Sequence, residues 1–400
     1  MTEPIIEPPL VGLRVIELGQ LIAGPFCAQL LGDFGADVIK VEAPDRPDPA
    51  RGWGAVKSNG HSVFWPIIAR NKRSLTLNLR VEAGQEILKR LASTADVLVE
   101  NFRPGTLEKW GLSPEVLQAI NPRLVIVRVS GYGQTGPESH KPGYASVGEA
   151  KAGLRHLIGE PDRPPARAGV SLGDTMTGTF AALGAMMALY AREKSGKGQV
   201  VDAAIYETVM AFMESLIPEY ALGGHTRQRT GGILPRVAPS GAYPCSDGMV
   251  IIGANQDTLF ERLARLIGAD WKDDPRFATH DGRGAHQHEL DAKIGDWTRE
   301  RTMADVLRLC DGAAVPCGPV NTARDMLADD HIRARNAIIK VFSPLIGQEV
   351  PMQAPVPKLS ATPARVISAG PALGEHTDEI LDVLGYSDAD RATFRSQNVI

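Results

Sequence analysis

The sequence predicts an open α/β fold built on a parallel sheet, and three observations carry that expectation. Short runs rich in β-branched residues alternate with helical patterns through the first half of the chain. The helical stretches are long enough for the right-handed crossovers that parallel neighbours require. With 400 residues the chain is long for one compact core, so about two domains are expected.

The elements follow in order. RVIEL (14–18) reads as a first strand, followed by a glycine-bounded turn and a helix over 26–34. ADVIKVE (36–42) is a second strand, and a loop rich in Pro, Asp and Gly spans 43–59. SLTLNL (74–79) alternates like a half-buried strand, 81–93 is an amphipathic helix, and DVLVEN (96–101) and 124–129 are buried strands. A helix is expected over 203–222. Beyond it, GGHTRQRTGGILPRVAPSG reads as a linker or an active-site loop. GAYPCSDGMVIIGA predicts a hairpin turning at Asp247-Gly248. Helices are predicted over 256–267, 283–299 and 302–311, with a turn and short strand in VPCGPVN (315–321). The chain from Val341 reads as extended and proline-rich before a last helix at 376–384.

Composition excludes several function classes. A formal net charge of −4 and the lack of a basic tract give no reason to expect a nucleic-acid partner. MTEPIIEPPL lacks the basic and apolar regions of a signal peptide, and no stretch approaches a membrane span. Cys27, Cys245, Cys310 and Cys317 have no CxxC spacing and read as reduced, mostly buried thiols of a cytoplasmic protein. Cys27 lies in an apolar helix and is assigned to core packing. His280, His286 and His288 cluster in a hydrophilic stretch with no second ligand pair, so no metal site is expected.

The stretch that organises the chemistry is SLGDTMTGTFAALGAMMALYAREK (171–194). An acid before such an apolar run reads first as an N-cap, its carboxylate accepting the free amides of the first turn. The run behind Asp174 is too apolar for a surface helix, and Gly169 and Gly173 allow close backbone approach. Such a carboxylate is also a candidate nucleophile. Parallel sheets bind ligands at the carboxyl ends of their strands, here Gly19–Pro25, Asn101–Gly105 and Ser130–Gly136. GQLIAGP is not a dinucleotide fingerprint, which argues against a dehydrogenase. Arg103, Lys109 and Lys141 beside these strand ends suit a ligand carrying phosphates.

Taken together these residues resemble the class III CoA-transferase family, which includes formyl-CoA, carnitine and dicarboxylate CoA-transferases. The resemblance rests on LVGLRVIEL, AGPFCAQLLGDFGADVIKVE, NKRSLTLNL, DVLVENFRPGTLEKWGL, NPRLVIVRVSGYGQTGP, the Asp174 segment, SGKGQVVDAAIYE, VPCGPVN and LGEHTDEIL, in one order from Leu10 to about Leu384. It implies a large Rossmann-like domain made from both chain ends and a small central α+β domain, in an interlocked homodimer. The corresponding segments are 1–222, a linker or active-site loop at 223–240, the small domain at 241–325, and a return over 326–400. It implies Asp174 as nucleophile, passing through a mixed anhydride and an aspartyl-CoA thioester, with acyl-CoA as substrate and no resident cofactor. Leu77, Asn78, Leu79, Arg80, Asn101, Phe102, Arg103, Lys109 and Lys141 match its CoA-contacting stretches. Ile22, Ala23, Gly231, Gly232 and Arg236 fall on the acceptor side, and Arg51 and Arg167 are further candidate clamps for a second carboxylate.

Ile22 stands where formyl-CoA transferase has its active-site glutamine, Ala43 where it has a nucleotide arginine, and its tetraglycine lid is missing. These departures argue against formyl transfer to oxalate. SGYGQTGP, VPCGPVN and the short loop after Gly231 are most similar to the branch acting on small dicarboxylates, and that resemblance implies transfer of CoA from succinyl-CoA to such an acid. The racemase branch of the family carries Gly-His-Asp where this chain has Gly143-Tyr144-Ala145. Racemase and non-catalytic acyl-CoA binding stand as the alternatives.

Overall fold

The computed structural model describes residues 7–400, so the first six residues of the N-terminal segment read above lie outside it. The strands β1 (Arg14–Glu17), β2 (Asp37–Glu42), β3 (Lys72–Thr76), β4 (Val97–Glu100), β5 (Val125–Ser130) and β6 (Val200–Ala204) form one sheet. Its order is β3-β2-β1-β4-β5-β6, and every pairing is parallel. The order reverses on either side of β1, which opens a crevice at the carboxyl ends of β1 and β4.

Side-chain alternation explains why the strands are apolar on both faces. Ile16, Ile39, Leu98 and Ile126 enter one core together with Leu88 of α2 (Glu82–Ala92) and Leu381. Val15, Val38, Val97 and Val127 enter the other, against α1 (Ala23–Asp33) and α3 (Leu172–Ser195). Both helices carry small residues on their sheet side, among them Ala28, Ala181 and Ala185. The helices approach closely at Gly178, where a Cβ would meet the Ala23 carbonyl at 2.7 Å. A larger residue there would push the second turn of α3 away from the start of α1.

The chain divides into two compact units. One contains the six-stranded sheet and the segments Ala168–Pro218 and Arg333–Ile400; the other comprises Arg155–Arg167 and Glu219–Ile332. The second unit has a three-stranded antiparallel sheet in which Met249–Gly253 pairs with both Ser240–Pro244 and Cys317–Pro319. The expected hairpin is there. Its core packs Tyr243, Val250 and Ile252 against Phe260, Leu290 and Val306 of three helices. Arg283 is fully buried in it, donating to the Ala238, Phe277 and Asn255 carbonyls and stacking over Phe260.

Several expectations are corrected. The helix read over 203–222 begins with a strand, β6, and continues as Ile205–Met210 and Leu216–Gly223. VVDAA pairs with β5 from Val200↔Ile126 to Ala204↔Ser130, and the apolar AIYETVM that follows hides the junction in sequence. The strand at 74–79 starts earlier and leaves the sheet after Thr76, so Leu77–Arg80 forms a strand-end loop. The helix read over 283–299 is interrupted at His286, between His280–Ala285 and Gln287–Arg299. The C-terminal stretch is more regular than expected, with an antiparallel hairpin (Ile338–Ser343 with Gln348–Gln353) and an extra capped helix, Asp388–Ser396. Cys27 and Cys310 are buried, whereas Cys245 and Cys317 are only partly so. Burial pushes the Cys27 thiol up to about 12, which suits core packing.

Candidate active site

A cavity of about 220 Å³ opens at the carboxyl ends of β1, β4 and β5, lined by Asp174. That is room for several waters or one small acid rather than for a whole coenzyme. One wall is Gln20–Ala23, a second is Asn101–Pro104, and a third is Lys141–Tyr144, over a floor of Val129, Ser130, Gly131 and Ile205. Of the residues singled out in the sequence, Ile22, Ala23, Asn101, Phe102, Arg103, Lys141 and Asp174 are brought together here.

Asp174 is not the N-cap of α3. Ser171 occupies that position, and Asp174 is the third residue of the first turn. The capping carboxylate comes from another element: buried Glu149, on the helix Ala145–Lys151, accepts the Gly173 amide at 3.0 Å. An acid in the first turn is still favoured by the helix dipole. Nor is α3 buried all round. Its alanine side meets the sheet, but Leu183, Met187 and Tyr190 are 47%, 61% and 68% exposed.

The first wall is held residue by residue. The Asn101 amide clamps Gln20, accepting its N–H at 2.8 Å and donating to its carbonyl at 2.8 Å. Leu21 sits at φ +65°, a left-handed conformation that costs a non-glycine residue roughly 1–2 kcal/mol. Its N–H is accepted by both oxygens of Asp48, at 3.0 and 3.2 Å. The Lys40 ammonium donates to the Gly19 carbonyl, and Lys72 to the Pro25 carbonyl. These lysines, with Glu17 and Asp48, make a cluster of ion pairs at 2.7–2.8 Å whose side chains are at most 1% exposed. Burial opposes the charge on Lys40, but Glu17, Asp48 and Glu42 outweigh it and hold the ammonium above its ordinary range. Lys72 goes the other way, pulled down by burial and by Lys40 despite Glu17.

A second ion cluster lies under the second wall. Glu100 accepts from Arg128 Nε at 2.7 Å and from the Phe102 amide at 2.7 Å, while Arg128 reaches Glu108. Burial pushes Glu100 up to about 7, with Arg128 pulling it back. The third wall is packed through glycines: a Cβ on Gly143 would lie 2.8 Å from the Gly131 Cα. Lys141 stands in water, paired with Glu138 at 2.8 Å.

A neighbouring hollow is lined by Leu77, Leu79, Arg80 and Phe102, with Ala43, Arg46 and Trp110. Lys109, in the short helix Thr106–Lys109, is exposed and lines neither space, and Asn78 binds the C-terminal segment through the Asn398 carbonyl. Arg51 is not an available clamp: it grips Glu42 with two N–H groups, donates to the Pro371 carbonyl and stacks on Trp65. Gly231, Gly232, Arg236 and Arg167 belong to the second unit. There the Gly231 amide donates to the Gly159 carbonyl, and that of Arg236, at φ +62°, to Gln287. The residues missed in sequence, Asp48, Lys40 and Glu149, carry signals only in hindsight, since each acts through a partner far along the chain.

An open parallel sheet with a first-turn aspartate and two cations, Arg103 and Lys141, lining the crevice at its strand ends is an α/β fold with a candidate site for an anionic ligand. Residues 10–377 match CoA-transferase family III, and the chain belongs to that family and is a CoA-transferase. It is 54% identical over 98% of both chains to succinyl-CoA–D-citramalate CoA-transferase of Chloroflexus aurantiacus. It is 42% identical, again over 98% of both, to the β subunit of succinyl-CoA–L-malate CoA-transferase of that organism. It is 36% identical to succinate–glutarate CoA-transferase of Agrobacterium fabrum, over 94% of this chain and 96% of the other. Among solved structures, a CaiB/BaiF family protein from Brucella suis superposes with a TM-score of 0.84 at 36% identity, covering 94% of this chain and all of that one.

Proposed function

We propose that this enzyme moves CoA from succinyl-CoA to a small dicarboxylic acid through Asp174. The observation that carries the reading is the placement of Asp174 in a cavity sized for a small acid, with cations at the rim. Asp174 attacks the thioester carbonyl, forming an anhydride and releasing CoA thiolate; the thiolate attacks the aspartyl carbonyl, leaving aspartyl-CoA and succinate. The incoming acid then reverses both steps, so the acyl activation is conserved. Substrate filling the cavity would displace the water that could hydrolyse the anhydride. The adjoining hollow, with Leu77, Leu79 and Arg80, suits the adenine and phosphates of CoA, and Arg103 and Lys141 are assigned to the same coenzyme; Asn78 and Lys109, which the resemblance also implies, line neither space. Relatives acting, by their names, on citramalate, malate and glutarate support a dicarboxylate acceptor. Ile22 and Ala23 are proposed to face that acceptor; Gly231, Gly232 and Arg236, which the resemblance also implies, lie in the second unit.

Racemisation needs a base on each side of the substrate. Among the described residues, the cavity lining contains no histidine and no carboxylate besides Asp174. The exposed apolar face of α3 supports the interlocked homodimer, with the segments 1–222, 241–325 and 326–400 as its domains, joined through 223–240. The free cysteines support a reducing, cytoplasmic setting.

The test is a panel of CoA thioesters against dicarboxylates with Asp174→Asn in parallel. The parent is expected to work best with succinyl-CoA, and the variant to lose roughly 10⁴-fold or more in kcat. Parental turnover by Asp174→Asn would sink the covalent route.

A further inference from the structure

We propose that Lys40 and Asp48 are positioning residues for CoA transfer, a buried pair that holds the backbone of Gly19–Ala23 in register with Asp174. The proposal rests on the reading of Asp174 as nucleophile. Neither side chain lines the cavity, so each acts through the wall it holds.

The geometry leaves that wall no slack. An ammonium has three N–H bonds, and Lys40 Nζ has three oxygens at 2.8 Å: Glu17 Oε1, the Gly19 carbonyl and Asp48 Oδ2. Asp48 then accepts the Leu21 amide and the Ala50 amide. Gly19 is thus fixed directly by Lys40 and Leu21 through Asp48, while Gln20 between them is clamped by Asn101. The backbone at Leu21 is in a conformation that an unheld leucine leaves for negative φ, and Asp48 is the group that takes its amide. Release would swing Ile22 and Ala23, the next two residues of the cavity wall.

Stability alone does not account for the cluster. Burying ions gains nothing over apolar residues of the same volume, because desolvation offsets the attraction. What apolar replacements could not do is grip a backbone carbonyl and a backbone amide two residues apart. A wall fixed in this way meets the tolerance that covalent chemistry demands, since a misplacement of about 1 Å costs on the order of 10²-fold in rate.

The experiment follows formation of the Asp174 hydroxamate by mass spectrometry when the full-length enzyme is mixed with succinyl-CoA and hydroxylamine. Rates are taken per folded molecule, with melting temperatures recorded alongside. Asp48→Ala, which leaves the Leu21 amide without an acceptor, is expected to slow modification on the order of 10²-fold. Asp48→Asn, which keeps Oδ1 for that amide but sets a donor against Lys40 in place of Oδ2, should recover about tenfold of that loss, a partial rescue that a merely structural role would not give. Should Asp48→Ala not fold, the near-isosteric Asp48→Leu takes its place. Modification of the Ala or Leu variant at the parental rate overturns the proposal while leaving Asp174 as nucleophile. Equal slowing of the Asn variant and the acceptor-less variant overturns it too. No hydroxamate in the parent removes the nucleophile reading and the proposal with it.

Discussion

The walls on either side of Asp174 are built on opposite principles. The Gln20–Ala23 wall is fixed largely by buried charge: Lys40 on β2, Asp48 in the loop after it and the amide of Asn101 just past β4 all grip its backbone. The Lys141–Tyr144 wall is fixed by the lack of side chains, glycine against glycine, and carries its cation out in water. On the proposed reading, the first arrangement holds atoms still near the reacting carbonyl. The second would bring a flexible positive charge to the mouth for a phosphate. Precision and capture are thereby separated into different stretches of chain.

That contrast can be broken from the glycine side first. Gly143→Ala places a methyl 2.8 Å from the Gly131 backbone. Overpacking of this kind costs about 1–3 kcal/mol, so urea unfolding should shift by that amount. If the wall moves with it, kcat should fall more than tenfold; unchanged kcat would show that this wall need not be exact. A smaller effect is expected at Lys141. Lys141→Ala should raise the KM for acyl-CoA about tenfold, about 1.4 kcal/mol, with kcat unchanged. Raising the salt concentration should erase most of that difference, as exposed charges are screened.

The smallest effect concerns the partly open cluster beneath Asn101. Glu100 keeps its proton in the folded chain up to about 7, while the ordinary value is 4.5. Its contribution to stability is therefore full below 4.5 and is lost as the pH rises through 7. Glu100→Gln should flatten the fall in melting temperature between those two values, and a parallel curve would show that Glu100 does not titrate there.

Much of the first unit was legible because strand alternation and helix period leave plain marks. β1, β2, β4 and β5 carry residues like Val15 and Ile16 that face two cores in turn, and such runs have one reading. β6 did not, because VVDAA merges into an apolar helix without a turn residue between them. Asp174 stood out as an acid before an apolar run, yet its capping role belongs to Glu149, twenty-five residues earlier in the chain. Lys40 was hidden by its own context: a lysine inside VIKVE looks solvated, and only the pairing of β1 with β2 places it beside Glu17. Local pattern announces where an element lies, but a charge held inside needs a partner that no local window contains.

The edge strand β3 has a further consequence, for the order of folding. Asn71 is bonded to the Ser368 carbonyl, Thr76 to Thr377 and Asn78 to the Val399 carbonyl, so its flank is completed by residues far along the chain. Contacts between such distant segments must close a long loop before they gain anything, which places this edge late in the folding sequence. A chain cut before Thr377 would leave the strand-end loop Leu77–Arg80 without that support.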